Sequence, residues 1–149
     1  MSPVEASRKF IQTVRFALAA AVVVYLLVTL RLPSAATPNP VMLRALGVVA
    51  ITETILIYVV RRIQVLRVEA ALETEPQDPK ILLRWRQGYL ITYSLSLSIA
   101  LYGLVLHFLG FSLSHIAPFF LAGIALILFL SPRALPGSTL PQSRPIIPR

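Results

Sequence analysis

The feature of this sequence that most constrains its fold is an apolar stretch from Met42 to Val60 that contains one acidic residue, Glu53. A helix needs about 20 predominantly apolar residues to cross the hydrocarbon core of a bilayer, and this stretch comes close to that length. Three other apolar stretches are similar in length and composition. We therefore predict an all-α polytopic membrane protein with four transmembrane helices, at about residues 10–30, 42–60, 88–109 and 115–131.

The composition agrees with a chain that is dissolved in lipid. Hydrophobic residues make up 56% of the 149 residues and charged residues only 13%, which is too little polar surface for a soluble domain of this size. The chain has no cysteine, which excludes disulfide bonds, thiolate metal sites and iron–sulfur clusters within it. Its net charge of +8 comes from residues that flank the apolar stretches, so we expect anionic lipid headgroups as partners rather than nucleic acid.

Local signals mark the helix starts and a helical region outside the membrane. A cap residue followed by proline favours the start of a helix, and we predict such starts at Ser2-Pro3, Asn39-Pro40 and Asp78-Pro79. Helices 2 and 3 are predicted to extend beyond the membrane into a cytoplasmic loop of residues 61–87. In that loop, charged residues including Glu69 are expected to lie away from an apolar helix face formed by Ile63, Leu66, Ala70 and Ala71.

The distribution of basic residues predicts the orientation of the chain. The N-terminal flank, the loop and the C-terminal tail hold three, six and three of the fourteen lysines and arginines, whereas the opposite loops hold only Arg31 and Arg44. Because basic loops stay in the cytoplasm, both termini are predicted to be cytoplasmic in a bacterial inner membrane. Residues 1–131 form one predicted transmembrane domain, and residues 132–149 form a proline-rich, extended cytoplasmic tail.

Polar residues at the span ends and in the third span have structural interpretations. Basic and aromatic side chains are predicted to anchor the helices at the lipid headgroups, and this group consists of Arg61, Arg62, Arg84, Trp85, Arg86 and Tyr89. The third span also carries serines at positions 94, 96 and 98. We predict that these are small packing residues whose hydroxyl groups bond back to backbone carbonyls.

Glu53 is the candidate for ion chemistry, and two interpretations of it stay open. An ionisable residue near the membrane midplane is often functional, which makes Glu53 a candidate for binding a proton or a cation. In the structural interpretation its carboxyl group is hydrogen-bonded and ties helix 2 to a neighbouring helix. The candidate partners are Thr52, Tyr58, Tyr93 and a serine of helix 3.

His107 and His115 lie on either side of a short turn at the outer ends of helices 3 and 4. They are candidate ligands for a haem iron or a chlorophyll magnesium, or else interfacial hydrogen-bonding residues. No catalytic serine motif, glycine-rich phosphate loop or pair of carboxylates accompanies them in the sequence. We therefore predict no enzyme, no small-molecule substrate and no other metal site.

Two short segments share a pattern with a known family. The segments are ETILIY at residues 53–58 and LSIALYGLV at residues 97–105, and both resemble the carboxylate-bearing outer helix of the proteolipid c subunit of rotary ATP synthases. That resemblance implies that Glu53 is an ion-carrying carboxylate, while the matching position of helix 3 is Leu97. The whole chain, especially residues 82–112, also resembles small four-span bacterial membrane proteins of unassigned role, which implies a fold and no activity.

The sequence offers few chemical groups and many surfaces for packing. Its leading interpretation is a non-catalytic accessory or assembly subunit of a larger photosynthetic or respiratory membrane complex, without a cofactor of its own. The partners are then the lipid bilayer and other membrane protein subunits. Two alternatives stay open: a proton- or cation-translocating proteolipid-like protein that uses Glu53, and a subunit that binds chlorophyll, carotenoid or haem through His107 or His115.

Overall fold

The computed structural model describes residues 3–33, 36–74 and 78–132, and every secondary-structure element in these ranges is a helix. The elements are α1 Pro3–Arg31, α2 Pro40–Val60, a π-helical segment Arg61–Leu66, α3 Arg67–Thr74, α4 Pro79–Phe108 and α5 Leu113–Phe129. The π-helical segment joins α2 to α3 without a break, so these three elements form one long helix. The predicted Ser2 cap and the predicted tail beyond residue 132 lie outside the described residues.

Three of the helices are long and apolar enough to cross a membrane. They are Pro3–Arg31, the long helix Pro40–Leu72 and Pro79–Phe108. Helix α5 is also apolar, but it has only 17 residues, somewhat fewer than the about 20 that a full crossing of the hydrocarbon core requires. The predicted all-α class is therefore confirmed for the described residues, together with three apolar helices of spanning length.

Two of the predicted helix starts are confirmed in atomic detail. The Oδ1 atom of Asn39 accepts the backbone N–H of Val41 at 3.0 Å, and Pro40 begins α2. In the same way, Oδ1 of Asp78 accepts the backbone N–H of Lys80 at 2.8 Å, with a proline as the first residue of α4. Each cap satisfies a backbone donor that the first turn of a helix cannot pair internally.

Helix α4 is the centre of the bundle, because it packs against α1, α2, α3 and α5, while α1 also packs against α5. Hydrogen bonds between distant parts of the chain tie the helices together near both ends. At one end, Nε2 of His107 lies 2.8 Å from the carbonyl oxygen of Leu32. At the other, the hydroxyl group of Tyr93 donates to the carbonyl oxygen of Leu130 at 3.1 Å.

The two ends of the bundle differ in chemistry. The loop end contains residues 32–33, 36–39 and 109–112. The basic end contains the start of α1, residues 61–74 and 78–86, and the end of α5. There the guanidinium group of Arg86 lies 4.4 Å from the ring centroid of Phe10, and this cation–π contact links α4 to α1.

A ridge of small buried residues runs along α4, at Gly88, Thr92, Ser96, Ala100 and Gly103. Small residues let helix backbones approach closely. A Cβ atom at Gly88 would lie 3.1 Å from Cγ2 of Val65 in the π-helical segment. A Cβ atom at Gly123 of α5 would lie 2.8 Å from Cβ of Ala100 and 3.0 Å from the carbonyl oxygen of Ser96. The ridge therefore sets the separation between α4 and its neighbours.

The hydroxyl groups on α4 bond back to the helix, as predicted for Ser96 and Ser98. The hydroxyl of Thr92 donates to the carbonyl oxygen of Gly88, and that of Ser96 donates to the carbonyl oxygen of Thr92, both at 2.8 Å. The hydroxyl of Ser98 lies 2.8 Å from the carbonyl oxygen of Leu95. Such bonds satisfy a buried hydroxyl group without a partner from another helix.

The turn between α4 and α5 depends on Gly110, whose φ angle is +93°. Residues with a side chain rarely adopt this conformation, whereas glycine does so without steric cost. A Cβ atom at this position would also overlap the carbonyl group of Ala36, which lies in the connection after α1. Glycine therefore lets the two connections at the loop end pack against each other.

The apolar face predicted for the helix after Val60 is not the face that packs on the bundle. The residues predicted on that face are exposed or half-buried: Ile63, Leu66, Ala70 and Ala71. The residues buried there are instead Val65, Glu69 and Leu72. A regular α-helix would continue the buried stripe of Ile57 at residues 64 and 68, because it has 3.6 residues per turn. The π-helical segment inserts one extra residue, which moves the stripe to residues 65 and 69.

Candidate functional site

Glu53 lies in the contact between α2 and α4. Ala50, Glu53 and Ile57 are spaced three and four residues apart, so they share one face of α2. Ala50 and Ile57 are buried in one cluster with Ile99 of α4, and Glu53 is half-buried between them. The hydroxyl oxygen of Ser98 lies 3.0 Å from each carboxyl oxygen of Glu53. The fold thus places one polar pair inside an otherwise apolar helix contact.

The partner of Glu53 is one of those that the sequence predicted, a serine of α4. The other candidates either bond to backbone carbonyls elsewhere or are exposed, and they are Thr52, Tyr93 and Tyr58. Tyr102 lies one turn beyond Ser98 on α4 and is close enough to Glu53 to interact with its carboxyl group. The structure therefore brings Glu53, Ser98 and Tyr102 together.

Counting hydrogens shows what the contact between Glu53 and Ser98 can hold. The hydroxyl group of Ser98 has one hydrogen but three neighbouring acceptors: two oxygens of Glu53, and the carbonyl oxygen of Leu95 at 2.8 Å. A protonated Glu53 donates its own hydrogen to Ser98, which then donates to Leu95, so every hydrogen is used. An ionised Glu53 shares the single hydrogen of Ser98 with Leu95, and the hydroxyl group of Tyr102 is close enough to supply a second one. The contact can therefore be satisfied with or without a hydrogen on Glu53.

Glu53 occupies a central position along α2. Arg44 and Arg61 are 17 residues apart in the sequence, which corresponds to about 26 Å along an α-helix. Glu53 precedes Arg61 by eight residues, or about 12 Å, and it is the only charged residue between the two arginines. A bilayer that placed the two arginines in opposite headgroup layers would therefore place Glu53 near the middle of its hydrocarbon core, which is about 30 Å thick.

A second carboxylate, Glu69 of α3, is buried at the basic end with 7% of its surface exposed. The hydroxyl group of Tyr89 donates to its Oε1 atom at 2.8 Å, and Nε1 of Trp85 lies 3.4 Å from the same oxygen. The two rings are each 1% exposed and meet edge to face, with centroids 5.4 Å apart. Glu69 is therefore the acceptor for two aromatic donors inside the protein.

The sequence reasoning missed Glu69 because its charge suggested a solvent-exposed position. A signal was present, since Glu69 follows Val65 by four residues and precedes Leu72 by three, which is the spacing of a shared helix face. Val65 and Leu72 are buried in the same cluster as Trp85 and Tyr89. This spacing places the three residues on one face, but it does not show which face is buried, because residues 66, 68, 70 and 71 are also apolar.

The six predicted interface anchors fall into two groups. Trp85 and Tyr89 lie inside the protein, so their placement does not support contact with lipid headgroups. The four others lie at the basic end with exposed or half-buried side chains, and they are Arg61, Arg62, Arg84 and Arg86. Arg61 is close enough to Tyr89 and Tyr93 to interact electrostatically with both. Contact of the four arginines with headgroups stays a prediction.

The two candidate ligand histidines lie at the loop end, where one ring nitrogen of each is hydrogen-bonded. Nε2 of His107 carries a hydrogen and donates to Leu32, because a carbonyl oxygen can only accept. Nδ1 of His115 lies 2.7 Å from the hydroxyl oxygen of Ser112. Within the described ranges, no three metal-ligating side chains form a group. A haem or chlorophyll ligand role for either histidine stays a prediction, which the visible absorption spectrum of the purified protein tests.

Comparisons with known proteins add no constraint on function. No protein-family model, curated protein or solved structure significantly matches this chain.

Proposed function

We propose that this protein is a non-catalytic accessory or assembly subunit of a larger photosynthetic or respiratory complex, built as a four-span protein of the bacterial inner membrane. Three helices of spanning length support the membrane location, and α5 completes a fourth span when its ends lie in the interface. Large apolar side chains are exposed on every long helix, among them Phe16, Ile51, Leu101 and Phe129. Apolar surface of this extent is rare on soluble monomers.

The charge distribution supports an orientation with both termini and residues 61–87 in the cytoplasm. Nine of the lysines and arginines in the described ranges lie at the basic end, in residues 8–15, 61–67 and 80–86. At the loop end the corresponding residues are Arg31 and Arg44. Because loops rich in lysine and arginine are retained on the cytoplasmic side, the basic end is the cytoplasmic one in this proposal.

The observation that carries the accessory role is the outer face of α2. This helix packs mainly on α4, through the face that carries Ala50, Glu53 and Ile57, and the opposite face is apolar. Val48, Ile51 and Ile55 lie on that face with 64%, 64% and 60% of their surfaces exposed. In lipid, helices associate by close packing, so a helix held on one side offers its other side to a neighbouring subunit.

The engagement of the polar groups also favours a structural role. Glu53, Glu69, Tyr93 and His107 each form a hydrogen bond to a distant part of the chain. These bonds hold one helix to another rather than converging on a common cavity. Buried polar side chains that pair in this way stabilise the contacts between helices.

Purification in a mild detergent tests the accessory role. The full chain is expected to co-purify with other membrane subunits, detected as a native complex heavier than the 16.4 kDa chain. The double variant Ile51→Trp, Ile55→Trp is expected to reduce the co-purified subunits several-fold, because large rings disturb close packing on α2. Leu121→Trp is the matched control, since Leu121 is 67% exposed on α5. A monodisperse lone chain, or equal losses in both variants, contradicts the proposal.

A second function, translocation of a proton or a cation, is favoured by the surroundings of Glu53. The carboxyl group is half-buried, central along α2, and hydrogen-bonded to Ser98. Glu53→Gln is expected to abolish carbodiimide labelling and proton flux into reconstituted vesicles, because an amide neither reacts nor exchanges a proton. Glu69→Gln is the control and retains both. Wild-type protein that neither labels nor conducts would rule this function out.

A further inference from the structure

An open groove lies between α2 and α5 towards the basic end, outside the contacts of Glu53 and Glu69. Its volume is about 380 Å³, within the range of small-molecule sites. Its apolar wall is formed by Ile57, Leu66, Leu126 and Leu130, and Arg61 and Arg62 line it one turn beyond Ile57. The groove therefore combines a hydrocarbon surface with two cationic groups.

The two guanidinium groups are available to a ligand. Within the part of the chain that the structure describes, the side chains of Arg61 and Arg62 form no hydrogen bond and no ion pair. The nearest acidic residues in the sequence are Glu53 and Glu69, eight residues before and after Arg61, and they are engaged with α4. Two unpaired cations beside an apolar wall complement a ligand with an anionic head and an apolar chain.

Three occupants of the groove can be compared: a helix of a partner, the tail of this chain and the acyl chain of a lipid. The size and charge of the groove distinguish between them. A partner helix is 10–12 Å in diameter, so a volume of 380 Å³ encloses no more than about one turn of it. The tail of this chain carries Arg133, Arg144 and Arg149 and no acidic residue, so it would meet the two arginines with like charge. An acyl chain is thinner than either and can follow the apolar wall.

We infer that the groove binds one anionic phospholipid, with its phosphate at Arg61 and Arg62 and one acyl chain against Ile57 and Leu126. The inference depends on the membrane location proposed above. The π-helical segment contributes directly, because Arg61, Arg62 and Leu66 all belong to it and all line the groove. The bound lipid bridges α2 and α5, which both pack on α4.

Native mass spectrometry of the purified, delipidated full chain tests this site. The protein is titrated with dioleoylphosphatidylglycerol or with dioleoylphosphatidylcholine, and the lipid-bound mass is measured. Wild-type protein is expected to bind one phosphatidylglycerol about tenfold more tightly than one phosphatidylcholine. The double variant Arg61→Gln, Arg62→Gln is expected to lose this preference. The control double variant Arg31→Gln, Arg44→Gln removes the same amount of charge from the loop end. It is expected to retain the preference for phosphatidylglycerol.

A second variant tests the position of the site without changing any charge. Leu126→Trp fills the groove and is expected to lose the bound phosphatidylglycerol, with far-UV circular dichroism confirming that the helices are intact. Equal binding of the two lipids overturns the inference. The inference is also overturned if both arginine double variants lose the preference for phosphatidylglycerol equally, or if Leu126→Trp still binds phosphatidylglycerol. A protein dimer detected in place of the lipid-bound chain overturns it as well.

Alkaline carbonate extraction of membranes that contain each variant separates the two proposals. A chain that stays in the membrane but shows no lipid preference overturns the lipid site alone. A chain extracted into the aqueous phase contradicts the membrane location itself.

Discussion

Replacing Glu69 by Ala is expected to lower the free energy of unfolding by about 3 kcal/mol. The substitution removes the acceptor for the hydroxyl group of Tyr89 and the indole N–H of Trp85, while both rings stay buried. Each donor that loses its partner costs about 1–3 kcal/mol, and the cavity left by the missing atoms adds to this. Equilibrium unfolding in mixed detergent micelles, followed by circular dichroism, measures the change.

Two further variants separate the lost acceptor from the lost volume. Glu69→Gln retains a carbonyl oxygen for Tyr89 and is expected to cost about 1 kcal/mol. Tyr89→Phe removes the donor, and it is expected to cost less in the Glu69→Ala background than in the wild-type chain, because the acceptor is already absent. If the effects of the two substitutions are instead additive, the hydrogen bond between Glu69 and Tyr89 does not stabilise the fold.

The existence of the helices and two of their starts could be predicted because the signals are local. Asn39 and Asp78 cap the first turns of their helices through atoms only two residues away in the sequence. The apolar length of each long helix is likewise a property of one continuous stretch. Neither signal depends on how the helices pack, so the prediction holds whatever surrounds them.

The buried face of α3 could not be predicted, because packing against α4 determines where the π-helical turn forms. The segment RRIQVL contains no proline or glycine that marks a change of helix type. The extra residue lets Val65 enter the space beside Gly88, where a side chain on α4 would block it. This packing of Val65 beside Gly88 stabilises the π-helical turn only when the two helices are in contact. The periodicity of residues 61–71 alone therefore does not indicate the turn.

The candidate site was predicted only in part, for a similar reason. The sequence indicated that a serine of the third helix could bond Glu53, but three serines are spaced at alternating positions. The angle and depth at which α2 meets α4 select Ser98. Trp85 and Tyr89 illustrate the opposite difficulty, because an aromatic ring with one polar group suits both a membrane interface and a buried carboxylate. The position of Glu69 decides between these environments.

Gly123→Leu is expected to lower the free energy of unfolding by about 3 kcal/mol or more, the upper range for overpacking a closely packed helix contact. Even the first atom of a side chain at this position lies 2.8 Å from Cβ of Ala100 and 3.0 Å from the carbonyl oxygen of Ser96. A leucine adds three more carbon atoms, and α5 must move away from α4 to admit them. Equilibrium unfolding in mixed micelles measures the loss of stability. The hydrogen bond between Tyr93 of α4 and Leu130 at the end of α5 is expected to break when the two helices separate.

The neighbouring residue provides the control, because Ala122 is exposed on α5 and Ala122→Leu is expected to change the stability by less than about 0.5 kcal/mol. A compensating pair tests the geometry more sharply. Gly123→Ala is expected to cost about 1–3 kcal/mol. Ala100→Gly removes the nearer obstruction and recovers part of that loss, while the carbonyl oxygen of Ser96 prevents full recovery. Wild-type stability of Gly123→Leu would mean that α5 does not pack on α4 here, and the central position of α4 would then be wrong.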